Sequence, residues 1–251
     1  MSNRFDVSGK VALVTGGNRG LGRKIALGFA QSGADVAVIS RRHCPDIEAE
    51  LQAQGVRGKS YAFDLANFDE FDHLVENIVA DFGRIDILIN NAGVQKRHPS
   101  TQFPMEDWDF VLGVNCKAPF LLCQKVGRLM LEKGCGKIVN IASLLSFQGG
   151  LTVPAYTASK AAVAGFTKSL SNEWARLGVN VNCIAPGYMA TDMNEALIND
   201  ETRSRQILER IPAGRWGSTD DITGTAIFLC SPAADYISGA TIVVDGGWLG
   251  R

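Results

Sequence analysis

The chain has 251 residues, 46% hydrophobic and 20% charged, which is enough apolar material for a sizeable core. Its formal net charge of −1, with acidic and basic residues interspersed, argues against nucleic acid or a membrane surface as a partner. The opening "MSNRFDVSGK" has no apolar signal core, and no uninterrupted apolar run approaches the roughly 18 residues of a membrane span, so cytoplasmic residence is expected.

"KVALVTGG" is a short β-rich run ending in glycine. Leu21, Ile25, Ala26, Phe29 and Ala30 then follow helical spacing until Gly33, a C-cap candidate. "DVAVIS" predicts the second strand, residues 46–54 a polar helix, and "KSYAFDL" the third strand. Asn67 and Glu70 resemble a capping pair opening the helix that carries Phe71, Leu74, Val75 and Ile78. "IDILINNAG" is the fourth strand and residues 105–133 a long helical region. "GKIVNIAS" is the fifth, followed by a helix holding Tyr156 and running to about residue 177. "VNVNCIAP" and, after another helix, "TIVVDGG" complete seven strands.

Strand and helix alternate throughout, and the strands are continuous apolar runs, as parallel strands covered on both faces require. The expected fold is α/β: one Rossmann-type, doubly wound domain over residues 1–251, a seven-stranded parallel sheet with helices on both faces. Residues 188–216 stand out as an insertion before the last helix and strand, a natural lid over a substrate. Cys44, Cys116, Cys123, Cys135, Cys183 and Cys230 are scattered without paired spacing and read as reduced packing thiols, so no metal site is expected. His43, His73 and His98 are likewise isolated and are expected in surface or loop roles.

"TGGNRGLG" lies between the first strand and the first helix. Gly16, Gly20 and Gly22 let the backbone approach a pyrophosphate, whose charge the helix N-terminus favours. The same turn makes Asn18, Arg19 and Leu21 cofactor-contact candidates. At the end of the second strand an NAD-selective site usually carries an acid; here Ser40 is followed by Arg41 and Arg42. Two cations and no anion suit a 2′-phosphate, so NADP(H) is the favoured cofactor and NAD(H) the alternative.

Tyr156 and Lys160 are one helical turn apart and share a helix face. A free phenol, with a pKa near 10, is a poor base at neutral pH. An ammonium about 4–5 Å away contributes on the order of 3–4 kcal/mol at an effective dielectric of ~20, lowering the phenol by up to roughly 2–3 units before desolvation opposes it. Tyr156 could then exchange a proton with a substrate oxygen, while Ser143, ending the fifth strand, could hydrogen-bond the same oxygen.

"TGGNRGLG", "NNAG", Asn115, Ser143, "YTASK" and "APG" together closely resemble the short-chain dehydrogenase/reductase family, over essentially the whole chain. The resemblance implies that Tyr156 is the general acid/base and that Ser143 orients the carbonyl. Lys160 would hold the nicotinamide ribose, and Asn115 would position a relay water. It further implies that Asp64 and Leu65 border the adenine and that Asn91, Ala92 and Gly93 line the cofactor cleft. Pro186 and Gly187 would pack near the nicotinamide, with Met189 and Thr191 over its carboxamide.

"SLLSFQGGLTVPAYTASK", "APGYMATDM" and "VDGGWLGR" look like the family's sugar-acid branch, which includes deoxy-gluconate dehydrogenases. A sugar acid needs a cation: Lys96 and Arg97 follow the "NNAG" strand, and Arg97 is the candidate for the carboxylate, helped by Gln148. Many members of that branch use NAD(H), from which "SRRH" departs. A reductase of 3-oxoacyl thioesters or other ketones is the alternative, although "GVQKRHPS" is polar for an acyl tunnel. A non-catalytic dinucleotide sensor predicts a damaged tetrad, which this chain does not have. The resemblance also implies a homotetramer.

Overall fold

In the computed structural model, which describes residues 3–251, seven strands form one parallel sheet. They are β1 (Val11–Thr15), β2 (Asp35–Ser40), β3 (Gly58–Ala62), β4 (Ile87–Asn90), β5 (Gly136–Ile141), β6 (Val179–Pro186) and β7 (Thr241–Val244). Their order is β3-β2-β1-β4-β5-β6-β7. The chain turns outward in opposite directions from β1 and β4, which pair through Ala12↔Ile87 to Val14↔Ile89. That reversal opens a crevice at their C-terminal ends, where doubly wound sheets bind ligands.

The helices are α1 (Gly20–Gln31), α2 (Pro45–Gln52), α3 (Phe71–Phe82), α4 (Met105–Leu112), α5 (Ala118–Lys133), α6 (Pro154–Trp174), α7 (Glu195–Ile198), α8 (Glu201–Leu208) and α9 (Asp220–Cys230). Period-two alternation divides the core. Ala12 and Val14 of β1 pack with Ile25 and Phe29 of α1 and Ile222 of α9, whereas Val11 and Leu13 meet Phe71 and Ile78 of α3 and Leu122 of α5. Phe29 and Phe71 are fully buried, each contributing roughly 2–3 kcal/mol by leaving water. At the N-terminal ends of the strands, opposite the crevice, buried Asp86 accepts from Val11 N at 3.0 Å, Arg84 Nε at 2.9 Å and Lys133 Nζ at 2.6 Å.

Several expected features take a different form. Asn67 and Glu70 make no capping pair: Asn67 precedes a 3₁₀ turn, Phe68–Glu70, and its side chain caps nothing. β3 stops at Ala62, leaving Phe63 to Leu65 beyond the ladder. The helical region from residue 105 to 133 is broken by one π turn, Gly113–Lys117, between α4 and α5. Residues 188–216 are a compact lobe that closes on Leu144 and Trp248 through Leu197 of α7, Ile207 of α8 and Ile211 just beyond it. No described helix is long and apolar enough to cross a membrane.

Candidate active site

α6 begins at Pro154, whose missing N–H costs nothing at the first helical position. Its first two turns carry Tyr156 and Lys160. Lys160 is 4% exposed, and its Nζ donates to the Ile141 carbonyl at the end of β5 at 2.6 Å. The ammonium stands 5.6 Å from the Tyr156 ring centroid. Ser143, two residues past Ile141, accepts from Leu145 N at 3.2 Å, which folds the 3₁₀ turn Leu144–Ser146. Ser146 Oγ then donates to the Lys160 carbonyl at 2.7 Å, fastening that loop to α6.

The protonation balance differs from the sequence expectation. Burial raises the Tyr156 phenol above its ordinary value, and the hydrogen bond with Ser143 only partly opposes it. The expected net lowering by Lys160 is absent because desolvation dominates. Burial also pushes Lys160 itself down to about 8, against the opposing pull of the Cys183 thiol.

Asn115 sits in the π turn and is wholly buried. Its Oδ1 accepts from Val94 N at 2.8 Å, and its Nδ2 donates to Val94 O at 2.8 Å and to Ser159 Oγ at 3.3 Å. Ser159 Oγ in turn donates to the Tyr156 carbonyl at 2.7 Å. Both amide hydrogens are thus spent on structure, and Oδ1 keeps one lone pair beyond its bond from Val94 N. Pro119, four positions on, has no N–H to give to the Asn115 main-chain carbonyl. A Cβ on Gly93 would stand 3.5 Å from Asn115 Oδ1 and 3.8 Å from Lys160 Nζ, so these three residues converge.

The glycine turn packs on the neighbouring strand. Thr15 Oγ1 accepts from Asn91 N at 2.9 Å and Ala92 N at 3.0 Å, while Asn91 Nδ2 donates to Thr15 O at 3.0 Å. A Cβ on Gly22 would lie 2.3 Å from both Asn91 Nδ2 and Gly16 O. Gly20, with φ of +52°, faces open space, and Arg19 leaves the first N–H groups of α1, including those of Gly20 and Leu21, without a side-chain cap. Asn18 directs its carbonyl to Arg23. The turn therefore has the shape and the free donors for a pyrophosphate.

Ser40 is buried, and its hydroxyl donates to the Arg42 carbonyl at 2.6 Å, which shapes the turn that carries the two arginines. Arg19, Arg41 and Arg42 are exposed and form no ion pair among the described residues. Asp64 is exposed, with Oδ1 accepting from Ala66 N, and Leu65 is buried in the core. Gly187 must be glycine, since a Cβ would meet Asp245 Cα at 2.6 Å beside Pro186. The Met189 side chain packs into the core instead of lying over the cleft, and its carbonyl accepts from Thr191 N.

At the substrate side, Asp107 of α4 accepts from both neighbours of Arg97: Lys96 Nζ at 3.1 Å and His98 Nε2 at 2.7 Å. His98 is therefore not isolated; it also meets Phe103 edge-on. Lys96 is committed, whereas Arg97 is exposed with no described partner. Gln148 Oε1 accepts from the Trp248 indole at 3.3 Å. Tyr188, Trp216 and Trp248 form an aromatic row beside it, with centroids 5.7 and 4.6 Å apart from Tyr188. Sequence reasoning gave Asp107 and Trp248 no role: Asp107 meets Lys96 and His98 across a loop without helical or strand spacing, and the partner of Trp248 lies 100 positions away.

A family model described as "Enoyl-(Acyl carrier protein) reductase" matches residues 16–249. The chain is 48% identical over 250 residues to the 2-dehydro-3-deoxy-D-gluconate 5-dehydrogenase of Dickeya dadantii (strain 3937), covering 99% of each protein. Among solved structures, it resembles an Agrobacterium tumefaciens protein provisionally assigned as a 2-deoxy-D-gluconate 3-dehydrogenase, with bound NADP. The TM-score is 0.91 at 49% identity over 100% of both chains. It also resembles a gluconate 5-dehydrogenase from Burkholderia cenocepacia J2315 in complex with NADP and tartrate, with a TM-score of 0.94 at 38% identity over 99% and 98% of the two chains.

Proposed function

Because this chain belongs to the short-chain dehydrogenase/reductase family, an oxidoreductase family acting on CH–OH groups, we propose that it interconverts a secondary alcohol and ketone on a gluconate-type sugar acid with NADP(H). The observation that carries this reading is the convergence of Tyr156, Lys160 and Ser143 at the crevice, with Arg97, which has no partner among the described residues, on the loop beyond "NNAG". Relatives acting on 2-dehydro-3-deoxy-D-gluconate and 5-keto-D-gluconate support the substrate class.

The residues present fit NADP(H). The uncapped α1 N-terminus and open Gly20 suit the pyrophosphate, and Arg19, Arg41 and Arg42 suit the 2′-phosphate. Asp64 and Leu65 would border the adenine, Asn91, Ala92 and Gly93 the cleft, and Pro186, Gly187 and Thr191 the nicotinamide end. When bound, the nicotinamide carries the hydride. Tyr156 Oη gives its proton to the substrate oxygen in reduction and takes it in oxidation, a direction in which the positive charges of Lys160 and of an oxidised nicotinamide would offset the burial of the phenol, and Ser143 Oγ holds that oxygen in line. Lys160 keeps a positive charge beside the phenol, and a water held near Asn115 would carry protons between Lys160 and solvent. Residues 188–216 form the lid that excludes water, and Arg97 takes the substrate carboxylate.

Exposed Phe120 of α5, edge-on to Phe166 of α6, and the open edge of β7 support assembly as a homotetramer. The test of function is the initial rate with D-gluconate, 2-deoxy-D-gluconate and 2-dehydro-3-deoxy-D-gluconate, each with NADP⁺ and NAD⁺. Turnover of at least one acid with NADP⁺ preferred is expected. No turnover of any acid would sink the substrate class.

A further inference from the structure

Residues 245–251 fold back beneath the 188–216 lobe through a turn that only glycine permits. Gly246 and Gly247 have φ of +65° and +93°, and a Cβ on them would stand 2.9 Å from Ile211 Cγ2 and Pro212 Cγ respectively. Both Asp245 carboxylate oxygens are used inside the turn, accepting from Gly247 N and Leu249 N at 2.8 Å each. The turn drives Trp248 inward among Leu144, Ile207 and Ile211. Its ring lies 4.6 Å from that of Tyr188 and 4.1 Å from the Arg210 guanidinium carbon.

Packing accounts for the ring, which phenylalanine would largely supply. It does not account for the indole N–H, whose acceptor is Gln148 Oε1 at 3.3 Å. Gln148 stands five residues beyond Ser143, on the same loop, with its own N–H on the Leu144 carbonyl at 3.1 Å. An indole nitrogen can only donate, so this bond dictates which end of the glutamine amide faces Trp248: the oxygen. The amide NH₂ must then face elsewhere, and no described residue accepts from it.

Resting on the sugar-acid reading above, we infer that Trp248 is a positioning residue that locks the Gln148 amide so that its NH₂ donates to the substrate carboxylate. A freely rotating amide would present its oxygen to that carboxylate about as readily, which is repulsive. The C-terminal turn thus selects for an anionic substrate without touching it.

Trp248→Phe, Gln148→Ala, Gln148→Glu and the Trp248→Phe/Gln148→Ala double variant are compared with wild type on the best acid of the panel, at saturating NADP⁺. Trp248→Phe is expected to raise KM about fivefold to tenfold, with kcat within about twofold. Gln148→Glu, which keeps an oxygen for the indole but loses the NH₂, is expected to raise KM at least as much. Adding Trp248→Phe to Gln148→Ala is expected to change nothing further, whereas a purely structural tryptophan would cost the same in either background. An unchanged KM in Trp248→Phe, or additive losses in the double variant, overturns the inference. Failure of wild type on every acid overturns the substrate reading and this inference together, and is told apart because the unmodified enzyme is then the one that fails.

Discussion

Lys160 Nζ lies 2.6 Å from the Ile141 carbonyl, anchoring a buried ammonium to the end of the strand that leads into Ser143. Burial holds this lysine down at about 8 in the folded protein, whereas in the unfolded chain it returns to the ordinary lysine range. Between those values the unfolded state binds more protons, so stability rises with pH. The strain of burying the charge is fully present below about pH 8 and is relieved as pH climbs toward 10. Denaturant unfolding of wild type and Lys160→Met should show wild type gaining on the order of 3 kcal/mol relative to the variant from pH 7 to above pH 10. A pH-independent difference would place the lysine charge in contact with water.

Tyr156→Phe keeps the ring and its packing while removing the proton-transferring oxygen. Its kcat should fall by about 10³-fold or more, with the NADP⁺ dissociation constant unchanged. Single-turnover rates and fluorescence titration of the cofactor read these separately. Comparable turnover in the variant would end the acid/base assignment.

Arg97 is flanked by two residues that Asp107 holds, and its own side chain has no partner among the described residues. Arg97→Ala should raise KM for a sugar acid about tenfold and leave KM for a neutral polyol unchanged. Equal changes for charged and neutral substrates in Arg97→Ala would remove the carboxylate role.

At the cofactor end, Arg41→Ala with Arg42→Ala should weaken NADP⁺ about 100-fold, roughly tenfold for each lost charge-assisted contact, while NAD⁺ changes little. Isothermal titration with both nucleotides decides it. Parallel losses for the two would mean that the arginines do not read the 2′-phosphate.

Gly22→Ala puts a methyl 2.3 Å from Asn91 Nδ2 and the Gly16 carbonyl. The clash is with backbone, so it cannot be absorbed by a rotamer change. The variant should lose about 1–3 kcal/mol of stability, seen as a thermal midpoint several degrees lower. An unchanged midpoint would show that the turn relaxes freely.

The amino-acid sequence by itself determined the seven strands, their parallel pairing and the glycine turn, because apolar runs, periodicity and glycine spacing are local properties. It also put Tyr156 and Lys160 on one helix face, since four residues make about one turn. The tertiary structure decided what those groups experience. Whether a phenol rises or falls depends on the solvent that α6 and β5 exclude, and no local pattern reports that exclusion. Asn115 spends its amide on Val94 because a π turn rotates it inward, and Met189 turns into the core because Gly217 leaves it room. Ser40 folds its own turn by a bond to Arg42. The Asp107 clasp and the Trp248–Gln148 bond join residues up to 100 positions apart. Such contacts form only where chain topology brings distant segments to the same end of the sheet.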